Sequence, residues 1–220
     1  MSLVTPEIKA VLFDLDGTLV DTAPDLVAAL NLALAELGLA GATLEAMRPV
    51  ASHGSLALAK AGAPDVDEAT QFAVRDALLK HYHTTNGQYA TLFDGMETLL
   101  VGLAERNIST GVITNKPARY TRVLLDRLNL TGQMRCIISG DSCTRAKPDT
   151  APMYLGAMQS NVNPAQVCYL GDAERDLLAA QAAGMTGIVA LWGYIADDDA
   201  VDSWPSFAQL GDPRSLLDLI

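Results

Sequence analysis

The strongest constraint on this chain is a repeated alternation of short apolar runs with helical stretches. Residues 8–13 (broken only by Lys9), 110–113, 136–138, 167–170 and 188–191 are short and mostly apolar, which marks buried strands. Between them, residues 98–105, 118–128, 151–159 and 176–183 read as helices. Strands spaced by helices imply crossover connections and therefore parallel pairing. The expected fold is α/β, with a doubly wound, Rossmann-like parallel sheet whose ligands lie beyond the carboxyl ends of the strands. Residues 19–89 interrupt that pattern with helical stretches at 25–37, 55–61 and 69–82 and no convincing strand, so an all-helical inserted domain is expected there. The core is then 1–18 with 90–220. Met1-Ser2-Leu3 precedes the first expected strand, and residues 196–203 read as an acidic, solvated loop.

Reactive residues fall just after the expected strands. Asp14 and Asp16 follow the first, and two like charges so close need either a cation or a shared proton. Side chains two apart on a strand share a face, so both can point at one site, and Gly17 permits the turn away. Thr114 and Asn115 follow the second strand, where a hydroxyl and backbone N–H groups at a helix start suit an anion. Lys147-Pro148 lies in the loop after residues 136–138, and Gly171-Asp172 directly follows 167–170. If a helix starts near Asp172, then Asp176 lies one turn on along the same face. Taken singly these residues have plainer readings: Thr114 as a helix cap, Lys147 as a solvated charge, Asp172 and Asp176 as helix-start acids favouring the dipole.

A formal net charge of -11 disfavours nucleic acid and anionic membranes as partners, and an anionic small substrate would need a local cation. Cys136, Cys143 and Cys168 form no CxxC pair, as expected of a reduced, cytoplasmic chain rather than a disulfide scaffold. No apolar stretch reaches the roughly 18 residues of a membrane span.

In this order, Asp14-Leu15-Asp16-Gly17-Thr18, Thr114, Lys147-Pro148 and Gly171-Asp172 with Asp176 resemble the haloacid dehalogenase superfamily of phosphohydrolases, over essentially the whole chain. Residues 13–25, 114–117 and 171–176, with Leu191-Trp192-Gly193-Tyr194, look like its phosphoglycolate phosphatase branch and equally like the related N-acetylmuramic acid 6-phosphate phosphatases. The resemblance implies a phosphatase acting on a small phosphate monoester, as monomer or homodimer. Asp14 would be the nucleophile and Asp16 the general acid and base. Mg²⁺ would be held by the carboxylates of Asp14 and Asp172 and the backbone carbonyl of Asp16, with Asp176 orienting its water or its neighbours. Thr114, Asn115 and Lys147 would bind the transferring phosphoryl group, so removing Lys147 is expected to cost phosphate stabilisation rather than fold.

The inserted helices would act as a cap that reads the leaving group. Arg48 and His53, in the stretch 48–54 that corresponds to the cap loop, are the candidates for substrate selection. Arg48 could bind a substrate carboxylate, and His53 stands where relatives usually carry a small residue. Two alternatives remain: a phosphotransferase of the hexose phosphate mutase kind, which keeps the same motifs, and a receiver-type signalling domain, which lacks the Asp-x-Asp-Gly-Thr arrangement and the insertion.

Overall fold

The computed structural model describes residues 7–220, so Met1-Ser2-Leu3 and the start of the first core segment lie outside the described residues. The core is a six-stranded sheet built from β1 (Ala10–Phe13), β4 (Ser109–Ile113), β5 (Cys136–Ile138), β6 (Val167–Gly171), β7 (Thr186–Ala190) and β8 (Ala208–Leu210). Its order is β5-β4-β1-β6-β7-β8 and all its pairings are parallel, as the alternation requires. Helices α5 (Met96–Glu105), α6 (Ala118–Arg127), α7 (Ala151–Gln159) and α8 (Glu174–Ala182) connect the strands, and α9 (Leu216–Leu219) closes the chain. β1 is central and wholly buried, which suits its uninterrupted Ala10-Val11-Leu12-Phe13. Val11 and Phe13 face one apolar cluster with Leu99, Leu103 and Leu124, while Ala10 and Leu12 face the other with Met153 and Ala180.

Register sets the site. Phe13 pairs with Val112 on one side and Leu170 on the other, so Asp14, Thr114 and Asp172 leave the sheet within one residue of each other at its carboxyl edge.

The insertion is helical: α1 (Ala23–Glu36), α2 (Leu44–Met47), a 3-10 turn over Arg48–His53, α3 (Ser55–Gly62) and α4 (Glu68–Thr85). α1 packs on α4 through Leu30, Leu34, Val74, Leu78 and Tyr82. Tyr120 of α6 joins that cluster, so cap and core share buried surface.

Two features differ from the sequence expectation. β2 (Val20–Asp21), inside the stretch expected to hold no strand, pairs antiparallel with β3 (Thr91–Leu92) just beyond its other end. The pair ties together the two passages between core and cap, and two-residue strands carry no readable period. Asp25 reinforces this junction: fully buried at the start of α1, it accepts from the Gly87 N–H at 2.5 Å and the Tyr89 N–H at 2.6 Å. The second difference is β8, a partly exposed edge strand whose Ala208-Gln209-Leu210 lacks the apolar run that marks its neighbours.

Candidate active site

Asp14 is 3% exposed. Its Oδ1 accepts from the Leu15 N–H at 2.7 Å and lies 3.0 Å from Lys147 Nζ. Asp172, 1% exposed, accepts from the Thr18 hydroxyl at 3.1 Å and from the Tyr194 N–H at 2.9 Å. Two glycines permit this crowding. Gly17 has φ +82°, and a Cβ there would sit 2.1 Å from Asp172 Oδ2. A Cβ on Gly171 would lie 2.3 Å from that of Asp176. Helix α8 begins at Glu174 rather than at Asp172, so the bend at Asp172 and Ala173, between β6 and α8, brings Asp172 and Asp176 together, not a shared helix face.

Asp14, Asp172 and Asp176 each offer an oxygen within 4.8 Å of the others, and all three are buried. Lys147 is the one ammonium paired into this cluster among the described residues, at 3.0 Å from Asp14 and 2.7 Å from Asp176. Three carboxylates against one ammonium leave a charge deficit that a divalent cation matches, and a donor set made of oxygens suits a hard one. Without such a cation, burial, reinforced by Asp14 and Asp176, pushes the Asp172 carboxyl up to about 8. Burial likewise raises Asp176 despite the neighbouring Lys147. This buried acidic triad is suited to a metal.

Lys147 corrects one sequence expectation. Its side chain has 0% exposure, and besides the two carboxylates it lies 2.7 Å from the Tyr169 hydroxyl and 2.8 Å from the Ile113 carbonyl. The ammonium donates to the Ile113 carbonyl and the Tyr169 hydroxyl, Tyr169 itself donates to that carbonyl at 2.7 Å, and Asp14 and Asp176 stand beside the ammonium as ion-pair partners. Loss of Lys147 would strand two buried carboxylates and so cost the fold.

The Asp16 carboxylate does not join the triad. Its Oδ1 accepts from Lys116 Nζ at 2.8 Å and from the Thr22 hydroxyl at 2.6 Å, facing the cap side of the cleft. That bond engages the hydroxyl of Thr22, the residue before α1, and no side chain caps that helix. Burial works against the Lys116 charge, but Asp16 outweighs it and the ammonium is held above its ordinary range. The same Nζ sits 4.8 Å from the centre of the Tyr82 ring on α4. Thr114 is buried, and its hydroxyl accepts from the Lys116 N–H at 3.2 Å. The Asn115 side chain is spent on the Lys147 backbone, accepting from its N–H at 2.9 Å and donating to its carbonyl at 3.0 Å.

These groups open onto a cavity of about 450 Å³ between core and cap, lined by Asp14, Asp16, Thr114, Lys116, Tyr82 and Arg175, among others. His53 lines it too. Arg48 does not: its guanidinium pairs with Asp21 at 2.8 Å and lies 5.7 Å from the centre of the Tyr194 ring, against a different hollow.

Sequence reasoning assigned no role to Lys116, Tyr169, Tyr194, Tyr82 or Arg175. Lys116 and Tyr194 stand inside the quoted motifs, and Tyr169 was detectable as a hydroxyl in an otherwise apolar strand. Nothing in the pattern of α4 marks Tyr82.

The sequence profile of the haloacid dehalogenase-like hydrolases matches residues 11–190. This chain belongs to that family. The resemblance carried by the motifs therefore holds, and a receiver-type domain is set aside. The chain is 40% identical over 208 residues to a phosphoglycolate phosphatase of Xanthomonas campestris, covering 94% of each. It is 34% identical over 214 residues to an N-acetylmuramic acid 6-phosphate phosphatase of Pseudomonas putida, covering 97% of this chain and 96% of that one. Among solved structures, a haloacid dehalogenase-like hydrolase of Streptococcus pneumoniae shares the fold with a TM-score of 0.80 at 21% identity, covering 96% of this chain and 98% of that one. No helix of the described residues is long and apolar enough to cross a membrane.

Proposed function

We propose that this hydrolase cleaves a small phosphate monoester through an aspartyl-phosphate on Asp14. The observation that carries the reading is a buried carboxylate with one oxygen held and the other without a hydrogen bond among the described residues. Asp14 Oδ1 takes the Leu15 N–H and faces Lys147, which leaves Oδ2 to attack phosphorus. The new Oδ2–P bond forms as the P–O ester bond breaks. Asp16 Oδ1 is occupied by Lys116 and Thr22, so Oδ2 can carry the proton that the leaving alkoxide receives. Asp16 then takes a proton from the water that attacks the phosphoryl group, which frees Asp14 and inorganic phosphate.

Lys147, the Thr114 hydroxyl and the Asn115 backbone N–H would meet the phosphoryl oxygens. Asp14, Asp172 and the Asp16 backbone carbonyl would hold Mg²⁺, with Asp176 completing the site from its water shell. Bound there, Mg²⁺ would neutralise charge on the phosphoryl oxygens.

The 40%-identical relative supports a phosphoglycolate phosphatase-like activity, and the 34%-identical relative supports N-acetylmuramic acid 6-phosphate as a second substrate reading. Phosphate release with Mg²⁺ should be measured on para-nitrophenyl phosphate, 2-phosphoglycolate, N-acetylmuramic acid 6-phosphate, hexose phosphates and nucleotides. The largest kcat/KM is expected on 2-phosphoglycolate, with all release abolished by EDTA. A larger value on N-acetylmuramic acid 6-phosphate would favour the second reading, and no release from any of them would overturn both.

A further inference from the structure

We propose that Arg175 binds a carboxylate on the leaving group of the substrate, in a subsite on the cap side of the cavity that it shares with Ser52 and His53. The proposal rests on the phosphatase reading above and adds the chemical class of the leaving group. Arg175 stands in the first turn of α8, one residue before Asp176, so the strand that positions the acids also positions it. Adjacent helix residues point in different directions, and Arg175 reaches toward the cap, where Nη2 donates to the Ser52 carbonyl at 3.1 Å. Its Nε is buried and unpartnered among the described residues, and so are Ser52 Oγ and the Tyr82 hydroxyl. An unpaired buried donor of this kind is costly unless a ligand takes it up.

Charge points the same way. In a chain of net charge -11, Lys116 and Lys147 are paired with carboxylates, whereas Arg175 has no ion-pair partner among the described residues. Asp172, Glu174, Asp198 and Asp199 line an adjoining hollow that Arg175 also borders, and Asp176, Asp14 and Asp172 act on its charge without forming an ion pair with it. A guanidinium offering Nε–H and an unused Nη N–H matches the two oxygens of a carboxylate. Arg175 lines the cavity within the field of Asp176, Asp14 and Asp172, and its Nη2 is bonded to the cap backbone at Ser52, so it can meet the part of a substrate that extends from the phosphoryl site toward the cap. At about 450 Å³ the cavity holds more than a phosphate group. Glycolate and N-acetylmuramic acid both carry a carboxylate, so one subsite serves either substrate reading.

The test compares acids with neutral counterparts: 2-phosphoglycolate against 2-hydroxyethyl phosphate, and N-acetylmuramic acid 6-phosphate against N-acetylglucosamine 6-phosphate. For whichever pair is turned over, the wild-type chain should favour the acid in kcat/KM by about 10- to 100-fold, the range expected for a charge-assisted contact. Arg175→Gln should bring that ratio near one, mainly by raising KM for the acid. Arg175→Lys should recover part of it, and carries the test if the glutamine variant does not fold. A wild-type ratio near one, or acid and neutral substrates falling in parallel in both variants, would overturn the proposal and leave Arg175 as a tether between core and cap. Transfer of the whole effect to Arg119→Gln, the other arginine lining the cavity, would overturn it too. Absence of phosphate release from every monoester, para-nitrophenyl phosphate included, would instead count against the phosphatase reading.

Discussion

Asp14→Asn is expected to lower phosphate release by about 10,000-fold or more while leaving the fold in place. The carboxamide is close to isosteric, and its oxygen can still accept from the Leu15 N–H and face Lys147. It lacks the anionic oxygen that must attack phosphorus. Removing the charge also relieves Asp172, whose carboxyl is raised in part by Asp14, so no large loss of stability accompanies the loss of activity. Phosphate release from para-nitrophenyl phosphate, read beside circular dichroism and a melting curve, checks both halves. Turnover within tenfold of wild type would remove Asp14 from the role of nucleophile. A folded-state collapse would instead show that its charge is needed for packing.

Lys147→Met has a different signature, because it should damage stability and turnover together. Methionine fills most of the space but leaves Asp14 and Asp176 buried without their ammonium, and breaking such a pair costs about 3–5 kcal/mol. In a domain of this size that corresponds to a fall in Tm of about 10 °C. Turnover at a temperature where the variant is folded should fall by a further 100-fold or more, since a positive charge on the transferring phosphoryl group is lost. An unchanged Tm with lost activity would mean that the two carboxylates are already neutralised by something other than Lys147. Lost Tm with full activity would remove Lys147 from phosphate binding.

Much of this site could be read from the chain because strand ends are local events. An apolar run, an Asp-x-Asp and a glycine mark where β1 stops, and the same logic locates Thr114 and Asp172. The helical insertion was equally legible from the spacing of Leu26, Leu30 and Leu34. What pairs with what was not. The Lys116 bond to Asp16 spans 100 residues and the Tyr194 bond to the Ala23 N–H spans 171, and no local pattern announces either. Asp25, at the start of α1, holds the returning linker through the Gly87 and Tyr89 N–H groups, contacts across 62 and 64 residues. Nor does any local pattern announce that Arg48, a candidate for a substrate carboxylate, pairs with Asp21 at 2.8 Å. β2, β3 and β8 are too short or too polar for periodicity to detect.

The central claim is that the chemistry passes through a covalent bond to Asp14, and chemical trapping addresses it most directly. Wild-type protein quenched with borohydride during steady-state turnover should show, on peptide mapping by mass spectrometry, homoserine in place of Asp14 and no change at Asp16, Asp172 or Asp176. Continued turnover with Asp14 unmodified, or reduction at any other carboxylate, would contradict it.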